Sequence, residues 1–114
     1  MHTTVSFELA KLLKEKGINI WSEYRYTDFN GIERLEKEAS EIFPYAPTIA
    51  EVVMLLYEKH GIWIVAWKNP DNPSQFYFEI DTPVKRIGDL SLGLFNSPTE
   101  AYEAAIEYTL NNLI

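Results

Sequence analysis

The chain of 114 residues contains no cysteine. That absence removes disulfides, thiolate zinc sites and cysteine nucleophiles together, and with them the disulfide-stapled secreted module. Histidine is nearly as scarce, with only His2 and His60 present. One histidine near the start of a chain and one beside Lys59 do not make a metal-ligand pattern, and no helix pairs a histidine with a glutamate at ligating distance. Glycines number five and stand apart from one another, so no phosphate-cradling loop or dinucleotide fingerprint is written. Long apolar runs are missing too. The longest, Val52 to Tyr57, is far too short to span a bilayer.

Positive charge is also in short supply. Seventeen acids face ten basic residues, a formal charge of −7. Nonspecific nucleic-acid binding rests on neutralising phosphates with Lys and Arg, so this balance disfavours it. A nucleic-acid role would require Lys11, Lys14, Lys68, Lys85 and Arg86 to converge on one face. The same acidity leaves room for charge mimicry of nucleic acid, and it favours solubility. The start of the chain, Met1 to Ser6, has no basic head and no apolar run, which speaks against a signal peptide and makes a cytoplasmic location the expectation.

What is present reads as one α+β domain over residues 1–114. A chain of this length buries roughly two-thirds of its unfolded surface, enough for one core without staples. The first helix is predicted from Val5 or Phe7 to Lys16, capped by Ser6 or Thr4 and stopped by Gly17. Alternation then predicts a strand from Ile18 to Tyr26, with Ile18, Ile20, Ser22, Tyr24 and Tyr26 on the core side. Asn30-Gly31 is a hairpin-type turn. Residues 32–42 read equally as a short returning strand or as a helix, because Leu35, Ala39 and Ile42 fall at helical spacing.

Thr48-Ile49-Ala50-Glu51 is a capping box that opens the second helix, expected from Ile49 to Lys59 or His60 and ended by Gly61. Its core face is Ile49, Val52, Val53, Leu56 and His60. Met54, Leu55 and Tyr57 add apolar surface elsewhere, so the helix is apolar nearly all round. Such a helix is covered on more than one side, by its own chain or by a partner.

Ile62 to Trp67 and Gln75 to Ile80 form the clearest hairpin, around a polar turn from Asn69 to Ser74. Alternation turns Ile62, Ile64, Ala66, Phe76, Phe78 and Ile80 toward the helices. Trp63, Val65, Trp67, Tyr77, Glu79 and Asp81 face the other way, and Trp21 is expected to join their aromatic rings. Leu90, Leu92 and Leu94 alternate as a short edge strand would. Ser97, Pro98 and Glu100 then start a last helix whose inward stripe is Ala101, Tyr102, Ala105, Ile106, Thr109, Leu110 and Leu113. The expected architecture is a small antiparallel β-sheet of three to four strands packed against about three helices, in the order α-β-(β)-α-β-β-α.

Three segments carry a resemblance. The Ala46-Pro47-Thr48 helix opening, the Tyr57-Glu58-Lys59-His60-Gly61-Ile62-Trp63-Ile64 passage and the Phe95-to-Ile106 ending resemble small uncharacterised proteins of gut Bacteroidetes and their phages or mobile elements. The likeness spans about the last two-thirds of the chain and rests on two caps and a helix stop. It implies a phage or mobile-element origin and brings no activity and no functional residue with it.

No residue is assigned a catalytic, cofactor or metal role. His60 at a helix end gains from the carboxyl-end dipole when protonated. Glu79 and Asp81 share a strand face, and Glu23 could match them from another strand. Paired acids about 5 to 9 Å apart can hydrolyse glycosides when one is held protonated, so a small hydrolase using sheet-face carboxylates beside aromatics is one alternative. A nucleic-acid mimic or nucleic-acid-associated protein is the other. The leading expectation is a small protein-interaction or accessory module, self-associating or bound to a protein partner, through Trp21, Trp63, Trp67 and Tyr77.

Overall fold

The computed structural model describes residues 3–29, 31–37, 39–88 and 92–114. Its elements are α1 (Phe7–Glu15), β1 (Tyr24–Phe29), β2 (Ile32–Lys37), α2 (Ile49–His60), β3 (Trp63–Asn69), β4 (Asn72–Asp81), β5 (Arg86–Ile87) and α3 (Pro98–Asn112). The α+β class and the element order follow the sequence. The strands divide between two antiparallel sheets, one ordered β1-β2 and one ordered β3-β4-β5. The chain clusters into two compact units, 1–51 and 52–114.

In the amino-terminal unit, α1 is capped by Ser6, whose side chain accepts from the Leu9 amide at 3.2 Å. Its end is a Schellman motif: the Ile18 N–H reaches Leu13 O at 2.9 Å and the Gly17 N–H reaches Lys14 O at 3.0 Å. That closure needs a left-handed residue, and Gly17 sits at φ 74°. Val5, Phe7, Leu9, Ala10 and Leu13 are buried. The entry to α1 is tied to the segment before α2 by Val5 N–H to Pro47 O and Ile49 N–H to Thr3 O, at 2.9 and 2.8 Å.

The strand expected at Ile18–Tyr26 lies further along, at Tyr24–Phe29. The reason is pairing. β1 and β2 register from Phe29↔Ile32 to Tyr24↔Lys37, so the ladder among the described residues runs along the later part of the alternating segment. Ile18, Ile20 and Ser22 are half-buried without joining a strand, Tyr24 is exposed, and Thr27 is buried. Residues 32–37 form a strand with almost no burial. Gly31 follows Asn30, which lies outside the described residues, as do Leu90 and His2. The other side of β1 is lined by residues 44–46: Tyr26 N–H donates to Pro44 O and Ala46 N–H to Tyr24 O.

α2 opens with the capping box in full. The Glu51 amide donates to Thr48 Oγ1 at 3.2 Å, and Glu51 Oε1 accepts from the Thr48 amide at 3.0 Å. Ile49, Val52, Val53 and Leu56 are buried. His60 is exposed, contrary to its expected place on the core face, because the last turn of the helix leaves the buried stripe.

The carboxy-terminal unit is built on the β3–β4 hairpin, in register from Trp63↔Asp81 to Lys68↔Phe76 and then offset to Asn69↔Asn72. Two asparagines shape the turn: Asn69 Oδ1 accepts from the Asp71 amide and Asn72 Oδ1 from the Ser74 amide, both at 3.1 Å. α3 packs on β3 and β4. Its fully buried Ala101 and Ala105 let the backbones approach closely, and Ile106 and Leu110 fill the space beside Ile64, Phe78 and Ile80. The Phe78 ring meets those of Phe95 and Tyr108 at 6.1 and 6.4 Å. Ser97 caps α3 by accepting from the Glu100 amide at 3.1 Å, while Glu100 reaches one residue further back, to the Asn96 amide. Of the short strand expected over Leu90, Leu92 and Leu94, Leu90 lies outside the described residues and the two other leucines are exposed and outside any strand, while a two-residue strand, β5, forms at Arg86–Ile87. Among the described residues, every buried side-chain polar atom has a hydrogen-bond partner.

Candidate functional site

The pleat sends alternate residues of β3 and β4 to opposite sides. Ile62, Ile64, Phe78 and Ile80 are buried on the helix side. The rows on the other side follow from the register: Trp63 beside Asp81, Val65 beside Glu79, and Trp67 beside Tyr77. Arg86 of β5 extends the first row, lying opposite Asp81. Trp63 is 40% exposed and Trp67 49% exposed, so neither indole is needed to complete the core. Tyr77, Glu79 and Val65 are half-buried, and Asp81 is exposed.

The aromatic surface continues onto α2. Tyr57, 52% exposed, meets Trp63 edge-on with ring centroids 5.3 Å apart and planes at 76°. Met54, one turn earlier, is exposed as well. Met54, Tyr57, Trp63 and Asp81 line a shallow open depression of about 470 Å³. The sequence placed Trp63, Trp67 and Tyr77 on this face by alternation. It did not bring Tyr57 and Met54 to it, because that depends on how α2 turns into β3. The signal available was the surplus of apolar positions on α2.

Trp21 belongs to the amino-terminal unit, in the segment before β1, and is not a strand residue. It is 71% exposed and lines a cleft of about 380 Å³ with Ser22, Glu23, Arg25, Lys37 and Tyr45. Here the Arg25 guanidinium lies 3.7 Å from the centre of the Tyr45 ring and donates to Phe43 O at 2.7 Å. Lys37 pairs with Glu23 at 3.0 Å. The hydrogen bond and charge of Glu23, with a smaller contribution from Tyr24, hold the Lys37 ammonium above the ordinary lysine range. A raised lysine stabilises the fold below its unfolded pKa and loses that contribution as pH rises through the folded value, so the effect lies in the alkaline range. Both partners are well exposed, which keeps the pair weak.

The carboxylates named for the hydrolase alternative fall in both units. Glu79 and Asp81 share the outer face of β4, and Glu23 is engaged by Lys37 in the other unit. Among the described residues, no group of three or more acidic or histidine side chains is placed to hold a metal ion. Of the basic residues, Lys11 pairs with Glu8 at 3.6 Å and Lys14 donates to Glu41 O at 3.1 Å in the amino-terminal unit, whereas Lys68, Lys85 and Arg86 belong to the carboxy-terminal one. No described helix is long and apolar enough to cross a membrane.

Comparison of the chain with protein-family models, with curated proteins and with solved structures finds no match. The functional reading therefore rests on the geometry of these two surfaces.

Proposed function

We propose that this chain is a small protein-interaction or accessory module that docks through the outer face of β3 and β4. The observation that carries the reading is the pair of exposed indoles, Trp63 and Trp67, on a sheet whose other face already holds a complete core. A tryptophan left in water forgoes burial worth about 1.5–3 kcal/mol for a large apolar side chain. Aromatic anchors of this type carry much of the binding energy at protein interfaces. Tyr57 and Met54 widen the patch to include rigid and adaptable apolar surface. Glu79, Asp81 and Arg86 supply the polar fringe that orients a partner. A phage or mobile-element origin, which the cap and helix-stop segments suggest, suits an accessory protein of this size.

The test is association measured by sedimentation velocity and light scattering, together with capture from extract of the native host. A Trp63→Ala/Trp67→Ala variant is expected to keep its unfolding midpoint within a few degrees and to bind its partner at least tenfold more weakly, the consequence of losing about 1.4 kcal/mol or more of interface energy. Wild-type-like association by that variant sinks the reading, as does a wild-type chain that is monomeric and retains no partner.

A further inference from the structure

The β3-β4-β5 sheet has one long edge strand, β3, and one of two residues, β5. On the far side of β4, β5 pairs at Ile80↔Ile87 and Asp81↔Arg86, and Phe95 closes the strand lower down through two bonds with Phe76, each 2.8 Å. β3 pairs with β4 alone among the described residues, so every second N–H and C=O of its seven residues faces outward with no strand to receive it.

Proteins blunt such edges with charge, proline or a covering segment. Another edge strand shows how: β2 reads Ile-Glu-Arg-Leu-Glu-Lys, with Glu33, Arg34, Glu36 and Lys37 spread along it. β3 reads Trp-Ile-Val-Ala-Trp-Lys-Asn, and its single charge, Lys68, stands at the end. No proline interrupts it. An edge of this composition accepts an added strand.

We propose that the occupant is a second copy of this chain, added antiparallel along β3 about a two-fold axis through Val65. The proposal goes beyond the docking reading above: it uses the edge of β3 and leaves the outer face of the sheet open. The choice follows from the sequence of β3 itself. With Val65 on the axis, Trp63 stands opposite Trp67 of the second copy, and Ile64 opposite Ala66. Each contact in the five-residue overlap is then apolar, and both copies of Lys68 fall outside it. A two-fold contact requires this kind of self-complementarity, since each copy offers the same surface. The outer face gains cross-strand Trp–Trp and Val–Val neighbours, pairings that stabilise antiparallel ladders. Moving the axis two residues toward the turn, onto Trp67, leaves Trp63 unpaired and sets Lys68 against Ala66. Centring on Val65 is therefore the register the composition favours. The result is a continuous six-stranded sheet, three strands from each copy, with the four indoles in one band across the junction.

The test is a charge exchange at the axis. Val65 is half-buried on the outer face and not part of the helix-side core. Val65→Lys and Val65→Glu each place two like charges against one another and are expected to weaken self-association at least tenfold by sedimentation equilibrium. An equimolar mixture is expected to restore a dimer containing one chain of each kind, with thermal melts showing that each variant is folded. Amide hydrogen exchange supplies an independent readout. Raising wild-type concentration is expected to slow exchange at alternate residues of β3 and leave the β4 amides unchanged. A wild-type chain that stays monomeric, a dimer whose β3 amides exchange as in the monomer, or a mixture that fails to re-associate overturns the proposal. The docking reading survives those outcomes if Trp63→Ala/Trp67→Ala still releases a different protein.

Discussion

Gly88 sits at φ 112°, and a Cβ placed on it would lie 2.4 Å from Phe78 O and 2.9 Å from Glu79 Cα. Both neighbours are backbone atoms of β4, so neither can swing aside. Gly17, at φ 74°, has nothing within 4 Å of the same position. Gly17→Ala is expected to cost the left-handed penalty alone, roughly 1–2 kcal/mol, and Gly88→Ala clearly more, because β5 must also move off β4. Urea denaturation of the two variants checks this; equal losses would mean that β5 yields freely. Other single residues were read from sequence with mixed success. Ser6 and Ser97 cap as their positions imply, since a cap is decided within three residues. His60 was misplaced, since burial depends on what lies opposite, and Trp21 falls before the strand expected to hold it. The Arg25–Tyr45 stack could not be foreseen, because its partners are 20 positions apart and meet only through residues 44–46 lying along β1.

The helices carry their own start and stop signals, and those signals place them almost to the residue. Thr48 and Glu51 satisfy two free donors reciprocally, so Thr48→Ala is expected to lower stability by about 1 kcal/mol. The measurement is the chemical-denaturation midpoint at unchanged slope, and an unaltered midpoint would show that water replaces the cap without cost. Strands offer less, because a strand exists only with a partner. Ile18 onward alternates, yet the described ladder begins at Tyr24, opposite Lys37. The same dependence resolved residues 32–37. Leu35, Ala39 and Ile42 satisfy a helical period, but the turn at Gly31 sets Ile32 against Phe29 and the hairpin takes the segment. In β3 and β4 the alternation was sufficient, because a complete apolar face permits only one side to turn inward.

At the scale of the molecule, the absence of disulfides leaves stability to packed cores, and α3 is central to one of them. Ile106 of α3 is wholly buried, whereas Ile42 is 73% exposed. Ile106→Ala is expected to cost about 2–5 kcal/mol, and Ile42→Ala within about 0.5 kcal/mol. Equilibrium urea unfolding compares them, and a small loss at Ile106 would mean that α3 is dispensable to the core. By itself the sequence determined the helices, their caps and stops, the α+β class and the two faces of the β3–β4 hairpin. Each of these is written in local chemistry: a side-chain oxygen within reach of a free amide, a glycine where φ must be positive, a period of two. Tertiary structure alone decided that the strands form two sheets, that Trp21 falls in the segment before β1, that Tyr57 meets Trp63, and that β3 pairs, among the described residues, with β4 alone. Those outcomes depend on which distant segments lie side by side, and no interval along the chain specifies the neighbour that will cover a given backbone group or ring.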